Sequence, residues 1–132
     1  MKSLVVEDDF FGRLVLQRIL QTVGQCDVAV NGKEAVEAFS AALKEGEPYD
    51  LACIDVMMPE MDGKEALKLI RELEKQMKVE PDKELKIIMI TGIDTPKELI
   101  DSYSNGGYSA YLVKPIEKNK LFALIKDLNL VP

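Results

Sequence analysis

Short apolar runs alternate with longer amphipathic stretches along the whole chain. The runs are Leu4-Val5-Val6, Val28-Ala29-Val30, Leu51-Ala52-Cys53-Ile54, Ile87-Ile88-Met89-Ile90 and Tyr111-Leu112-Val113. Most of them are apolar throughout rather than at every second position, which is typical of parallel strands that are covered on both faces. Because strands and helical stretches alternate, the pattern predicts right-handed crossovers and a doubly wound α/β sheet.

Four of the amphipathic stretches carry an apolar stripe with helical spacing. The stripes, in chain order, are Phe11, Leu14, Val15, Ile19 and Val23; Ala35, Val36, Phe39, Ala42 and Leu43; Ala66, Leu67, Ile70, Leu73 and Met77; and Leu121, Phe122, Leu124, Ile125 and Leu128. We expect the third helix to run from about Gly63 to Lys78. A fourth helix is expected to begin near Thr95-Pro96 and to end at residues 105–107, since Thr is a good N-cap and Pro suits the first helical position.

The five strand and helix units fit a flavodoxin-like three-layer sandwich whose parallel sheet has the strand order 2-1-3-4-5. The run at Val28 is the shortest and the most polar at its start, which places it at a sheet edge. No linker or low-complexity tract divides the chain, so residues 1–132 are expected to form one domain without an output domain. In such folds, ligands bind outside the carboxyl ends of the strands where the strand order reverses.

Composition argues against several classes of function. The formal net charge is −6 and the basic residues are scattered, so we expect no nucleic-acid partner, because phosphate neutralisation needs a basic patch. The absence of histidine excludes histidine nucleophiles and histidine metal ligands. No apolar run approaches the roughly 20 residues that span a bilayer, and no signal segment is recognisable. A cytoplasmic protein without membrane contact is therefore expected.

The two cysteines, Cys26 and Cys53, lie in separate predicted strands with a third strand between them. Two strand spacings separate them by about 10 Å, which exceeds the roughly 7 Å between Cα atoms that a disulfide tolerates. Both are therefore expected to be reduced core residues.

Polar side chains directly follow four of the predicted strands. They are Glu7-Asp8-Asp9 after the first strand, Asp55 after the third, Thr91 after the fourth and Lys114 after the fifth. The predicted fold brings these strand ends together at one crevice. Carboxylates crowded in one place must take up protons, separate or bind a cation. Oxygen ligands without His or Cys favour Mg²⁺, Mn²⁺ or Ca²⁺ over zinc.

A carboxylate, a lysine and a hydroxyl around Mg²⁺ form a site for phosphoryl transfer, where catalysis is mostly positioning and charge neutralisation. Asp55 would be the nucleophile and would form an acyl phosphate. Lys114 would neutralise a phosphoryl oxygen, and Thr91 would donate its hydroxyl. A flavin carrier of the same topology would need a first loop that binds phosphate, and an acidic loop repels phosphate unless a metal intervenes. The P-loop motif is absent.

Four segments resemble the response-regulator receiver family, and the resemblance covers nearly the whole chain. They are Leu4-Val5-Val6-Glu7-Asp8-Asp9, similar to the acidic pocket motif; residues 54–63, with Met58-Pro59 and Asp62-Gly63, similar to the phosphorylation segment; Ile90-Thr91-Gly92; and Tyr111-Leu112-Val113-Lys114-Pro115. The size is similar to that of single-domain, chemotaxis-type members. The resemblance is specific because all four segments occur in order at predicted strand ends.

The resemblance implies a phosphoacceptor site. Asp55 would accept a phosphoryl group from a sensor histidine kinase or a phosphotransfer protein. Mg²⁺, with Mn²⁺ as an alternative ion, would be bound by Asp55 and Asp8, by Glu7 mainly through water, and by the backbone carbonyl of Met57. Family members often also react with small acyl phosphates and catalyse their own dephosphorylation.

The resemblance also implies a two-state switch. Thr91 would contact the phosphoryl group and draw the following loop inward, Tyr111 would move from exposed to buried, and Lys114 would pair with the phosphoryl oxygens. The Lys114–Pro115 peptide bond is expected to be cis. The change would reach the face formed by the fourth helix, the fifth strand and the fifth helix. That face would serve an unknown downstream protein, a phosphorelay step or homodimerisation.

Two departures from the family pattern leave alternatives open. Glu7 stands where Asp is more common, and Asp8 with Asp9 is an alternative choice of the acidic pair. Met57 and Ile93 are apolar where many relatives carry polar residues, which suggests the hypothesis that water access is restricted and the phosphorylated lifetime long. The alternative function is a phosphorylation-independent interaction module on the same fold.

Overall fold

The computed structural model describes residues 1–56, 63–102 and 107–131, excepting the side chains of residues 99, 100 and 102. Within these residues the strands form one parallel sheet in the order β2-β1-β3-β4-β5. The strands are β1 (Lys2–Val6), β2 (Gln25–Ala29), β3 (Leu51–Asp55), β4 (Lys86–Thr91) and β5 (Ala110–Val113). The helices are α1 (Phe10–Leu20), α2 (Gly32–Lys44), α3 (Gly63–Gln76), α4 (Lys97–Ser102) and α5 (Lys118–Asp127), with a 3-10 turn at Pro81–Lys83. The predicted doubly wound, flavodoxin-like fold and its strand order are confirmed.

The central strand, β3, sets the position of its neighbours. All of its residues are buried. It pairs with β1 up to Ile54 opposite Val6, and with β4 up to Asp55 opposite Ile90. The parallel register therefore brings the carboxyl ends of β1, β3 and β4 to one edge of the sheet.

The sheet buries apolar side chains on both faces, which explains why its strands are apolar throughout. On one face the core includes Phe39 of α2 and Ile70 of α3. On the other face it includes Leu16 of α1 and Leu121 and Ile125 of α5. Helices thus cover both faces in the predicted three layers.

The buried face of α1 differs from the predicted one. Leu16 and Leu20 are the buried residues of this helix, whereas Phe11 is 74% and Val15 is 44% exposed. Leu16 and Leu20 are four residues apart, so they also have helical spacing. Because α1 carries apolar residues on more than one side, its pattern cannot select a single face. The prediction was wrong for Phe11 and Val15.

Two helix ends also differ from expectation. α3 ends at Gln76 rather than near Lys78, and Lys78 takes the left-handed conformation with φ of 55° that often follows a helix. α4 begins at Lys97, and the hydroxyl of Thr95 accepts a hydrogen bond from the Gly92 N–H at 2.7 Å. The predicted end of α4 at residues 105–107 lies largely outside the described residues. Among the described helices, none combines the length and apolarity that crossing a bilayer requires.

The sheet edge and the cysteines agree with the sequence. β2 lies at the edge, as the polar start of its apolar run indicated. β1 separates Cys26 from Cys53, and both are buried free thiols. Burial raises the pKa of the Cys53 thiol to about 12, which keeps it protonated and unreactive near neutral pH.

Candidate functional site

Three carboxylates lie close together at the carboxyl ends of β1 and β3. Glu7, Asp8 and Asp55 each offer an oxygen, and these oxygens all lie within 4.8 Å of one another. Glu7 and Asp55 are buried, with 1% and 5% of their surface exposed, and Asp8 is exposed. Carboxylates repel each other strongly at this separation where water is excluded. The arrangement therefore favours a bound cation or a shared proton.

Lys114, which follows β5, brings a positive charge to the buried carboxylates. Its Nζ lies 3.2 Å from Oδ2 of Asp55 and 3.4 Å from Oε2 of Glu7. Burial disfavours the ammonium, but attraction to Asp55 and Glu7 outweighs burial and raises the pKa of Lys114. The lysine is therefore charged at neutral pH. Its peptide bond to Pro115 is cis, as predicted.

Thr91 lies at the same edge of the sheet, at the end of β4. Its carbonyl accepts a hydrogen bond from the Lys114 N–H at 2.7 Å, which ties the end of β4 to the end of β5. Its hydroxyl is buried and has no hydrogen-bond partner among the described residues. A buried hydroxyl without a partner costs roughly 1–3 kcal/mol, so we expect it to gain a partner when a ligand enters the crevice.

Glu7 is strongly affected by its surroundings. Burial raises the pKa of Glu7 to about 7, and the hydrogen bond with Asp55 and repulsion from it contribute to the rise. Lys114 and the N–H of Asp9 oppose the rise, and that N–H donates to Oε1 of Glu7 at 3.2 Å. Oε2 faces Lys114 but accepts no hydrogen bond from the described residues. Without a metal, Glu7 is therefore partly protonated near neutral pH.

We expect the metal-free protein to lose stability as the pH rises from about 4.5 to about 7. Unfolded Glu7 releases its proton near pH 4.5, whereas folded Glu7 keeps it until about pH 7. The unfolded state thus binds fewer protons in this window, so the free energy of unfolding falls with pH, by roughly 3 kcal/mol in total, and levels off above it. Urea denaturation of wild type and Glu7→Gln across this range measures the effect. The variant should lack this part of the slope, and equal slopes for the two proteins would contradict the assignment.

The start of α1 holds the acidic loop in place. The carboxylate of Asp9 accepts a hydrogen bond from the Gly12 N–H at 2.8 Å and caps the helix. Asp9 therefore serves as a helix cap, whereas Glu7 and Asp8 are the residues of this loop whose carboxylates group with Asp55. Arg13 donates from Nη1 to the carbonyl oxygens of Glu7 and Asp8. The sequence carries no signal for Arg13, since an arginine on a helix is ordinary.

The remaining predicted positions lie at the rim or outside the described residues. Tyr111 in β5 is 50% exposed. Ile93 is 92% exposed just beyond Thr91. Met57 lies outside the described residues.

Comparisons with known proteins agree with this fold. A family model described as response regulator receiver domain matches residues 3–126. The chain is 35% identical over 131 residues to the chemotaxis protein CheY of Bacillus subtilis, covering 97% of this chain and 98% of that protein. It is 33% identical over 129 residues to the sensory/regulatory protein RpfC of Xanthomonas campestris pv. campestris. That match covers 97% of this chain but only 16% of RpfC.

A solved structure is similar over the same length. The crystal structure of the receiver domain of the histidine kinase CKI1 from Arabidopsis thaliana, complexed with Mg²⁺ and BeF₃⁻, has a TM-score of 0.82 and 30% sequence identity. The alignment covers 98% of this chain and 90% of that chain. Since both the family model and the CheY match extend over nearly all of its residues, the chain belongs to the family of response regulator receiver domains of two-component signalling.

Proposed function

We propose that the chain accepts a phosphoryl group on Asp55 from a sensor histidine kinase or a phosphotransfer protein, and that phosphorylation switches a protein-binding face. The observation that carries this proposal is the grouping of Asp55 with two further carboxylates within 4.8 Å, beside the ammonium of Lys114. A carboxylate nucleophile next to oxygen ligands and a fixed cation has the chemistry of phosphoryl transfer.

The residues of the crevice fit Mg²⁺. Every candidate ligand is an oxygen, and Oε2 of Glu7 accepts no hydrogen bond from the described residues. Asp8 and Asp55 would hold the ion, Glu7 would contribute mainly through water, and the carbonyl of Met57 would be a further ligand. The Mg²⁺ complex of the similar CKI1 receiver domain supports the same ion here, and Mn²⁺ has similar ligand preferences. When bound, the ion would neutralise charge on the phosphoryl oxygens.

In the transfer, an oxygen of Asp55 forms a bond to phosphorus while the P–N bond of a phosphohistidine donor breaks. The electron pair of that bond stays on the imidazole nitrogen. Lys114 Nζ, 3.2 Å from Oδ2 of Asp55, would neutralise a transferred oxygen. The buried hydroxyl of Thr91, which has no partner among the described residues, would donate to another. The closeness of Lys114 to Asp55 and the hydroxyl of Thr91, without a partner among the described residues, support these roles.

The output would follow from the same groups. The phosphorylated side chain would carry about −1.5 to −2 charges in place of the single negative charge of the Asp55 carboxylate. The carbonyl of Thr91 accepts a hydrogen bond from the Lys114 N–H, so a shift at the end of β4 would reach the end of β5. Movement of Thr91 toward the phosphoryl group would let the half-exposed ring of Tyr111 turn inward. The face formed by α4, β5 and α5 would then bind a downstream protein, take part in a phosphorelay or pair with a second copy.

Incubation with acetyl phosphate and Mg²⁺, followed by intact-mass measurement, tests the acceptor. We expect wild type to gain one phosphoryl group and Asp55→Asn to gain none, because the amide is not a nucleophile. Asp82→Asn, an exposed change in the 3-10 turn, is the matched control and should be labelled like wild type. Full labelling of Asp55→Asn would reject this residue as the acceptor. An unlabelled wild type would instead favour a phosphorylation-independent interaction module.

A further inference from the structure

The loop between β1 and α1 carries both Glu7 and Asp8, and a single side chain reaches the backbone of both. Nη1 of Arg13 donates to the carbonyl oxygen of Glu7 at 3.0 Å and to that of Asp8 at 3.3 Å. The guanidinium carbon lies 5.7 Å from the ring centroid of Phe10, which is within the range of a cation–π contact. The hydrogen bonds to the two carbonyls and the contact with the Phe10 ring together hold the guanidinium of Arg13 against the loop.

The other contacts of Glu7 leave it little freedom. Its N–H donates to the carbonyl oxygen of Ala29 at 3.1 Å. Its side chain packs on Gly12, where a Cβ would lie only 3.3 Å from Cγ and Cδ of Glu7. Mutual repulsion of the carboxylates tends to spread the loop, and bonds from a rigid helix to its backbone oppose that spreading. Arg13 supplies such bonds to both residues.

We propose that Arg13 is a positioning residue for the metal pair, which holds the backbone of Glu7 and Asp8 so that their carboxylates meet Asp55. This inference rests on the proposed function. Arg13 does not touch the ion or the phosphoryl group; it acts through the two residues whose carbonyls it binds. Groups that orient metal ligands in this way typically contribute about 10–100-fold to metal affinity.

The sign of the effect separates positioning from simple electrostatics. Arg13 is a cation close to a cation site, so if only its charge mattered, its removal would strengthen Mg²⁺ binding. Positioning predicts the opposite change, because the carboxylates lose their alignment. Lysine retains the charge but not the planar guanidinium. Arg13→Lys therefore isolates the geometric contribution.

Calorimetric titration of the whole chain with Mg²⁺ alone tests the proposal. We expect Arg13→Gln to raise the Kd for Mg²⁺ by about 10-fold and Arg13→Lys to raise it by at least about 3-fold. Arg18→Gln, an exposed change of equal charge in the last turn of α1, should leave the Kd unchanged. Circular dichroism without Mg²⁺ checks that each variant is folded, since a merely structural role would lower stability without changing the affinity of the folded protein.

Unchanged or tighter Mg²⁺ binding by folded Arg13→Gln would overturn the proposal. If Arg13→Gln does not fold, Arg13→Lys decides, and an unchanged Kd for that variant overturns it. An equal loss of affinity in Arg18→Gln would also overturn it, because the loss would then come from a general effect of altering α1 and not from the contacts of Arg13 with the loop. A wild type that binds no Mg²⁺ would reject the proposed metal site and this inference with it. Normal binding by both wild type and Arg13→Gln would reject the inference alone.

Discussion

Lys114→Met is expected to slow labelling by acetyl phosphate about 100-fold or more, without weakening Mg²⁺ binding. The Lys114 ammonium lies 3.2 Å from Asp55 and 3.4 Å from Glu7, where it would neutralise a transferred phosphoryl oxygen. The loss of one fixed stabilising group from a site of this kind typically costs about 100- to 1,000-fold in rate. Removing a cation from beside the carboxylates also favours a metal ion, so the Mg²⁺ affinity should stay the same or increase.

The rate of phosphoryl incorporation, followed by intact mass, and a calorimetric Mg²⁺ titration measure the two effects separately. Lys126→Met, an exposed change near the end of α5, is the matched control and should behave like wild type. A labelling rate unchanged in Lys114→Met would show that the ammonium does not stabilise transfer. A parallel loss of Mg²⁺ affinity would show instead that the variant distorts the whole site.

Glu74→Ala is expected to lower the free energy of unfolding by about 3 kcal/mol. Glu74 is 2% exposed in α3, and both of its oxygens accept hydrogen bonds at 2.7 Å, one from Nη1 of Arg71 and one from the N–H of Leu85. Arg71 also donates to the carbonyl oxygen of Gly107. The pair of Arg71 and Glu74 therefore links α3 to Leu85, directly before β4, and to Gly107, before β5. Truncation leaves the buried N–H and the guanidinium without that carboxylate.

Urea denaturation of wild type, Glu74→Ala and Glu72→Ala measures this contribution. Glu72 is exposed on the same helix, so its removal should change the free energy of unfolding by no more than about 0.5 kcal/mol. A loss below about 1 kcal/mol in Glu74→Ala would mean that water replaces the carboxylate at low cost.

The sequence predicts the fold and most of the site for the same physical reason. Strands that are apolar throughout require cover on both faces, and this fixes a parallel sheet with helices on each side. Parallel strands end at a common edge, so the positions of Asp55, Thr91 and Lys114 directly after apolar runs predict that the three side chains converge there. The structure places Lys114 in contact with Asp55 and joins the backbones of Thr91 and Lys114.

Other features depend on contacts that local patterns do not encode. Phe11 and Leu16 each lie at helical spacing from other apolar residues of α1, so the sequence pattern does not select between them. The packing of α1 on the sheet buries Leu16 and leaves Phe11 exposed. In the sequence, Glu74 looks like an ordinary solvated residue of a helix. In the fold it accepts a hydrogen bond from the N–H of Leu85, eleven positions later, and no local pattern indicates that bond. The role proposed for Arg13 depends on its hydrogen bonds to the backbone carbonyls of Glu7 and Asp8, and a pattern of side chains does not reveal such bonds.

The Mg²⁺ dependence of wild-type labelling tests the central claim most directly, namely that the crowded carboxylates need a cation before Asp55 can attack phosphorus. Incubation with acetyl phosphate is carried out once with Mg²⁺ and once with excess chelator, and the intact mass is measured in both. We predict one added phosphoryl group with Mg²⁺ and none with the chelator. Equal labelling in the two samples would contradict the account.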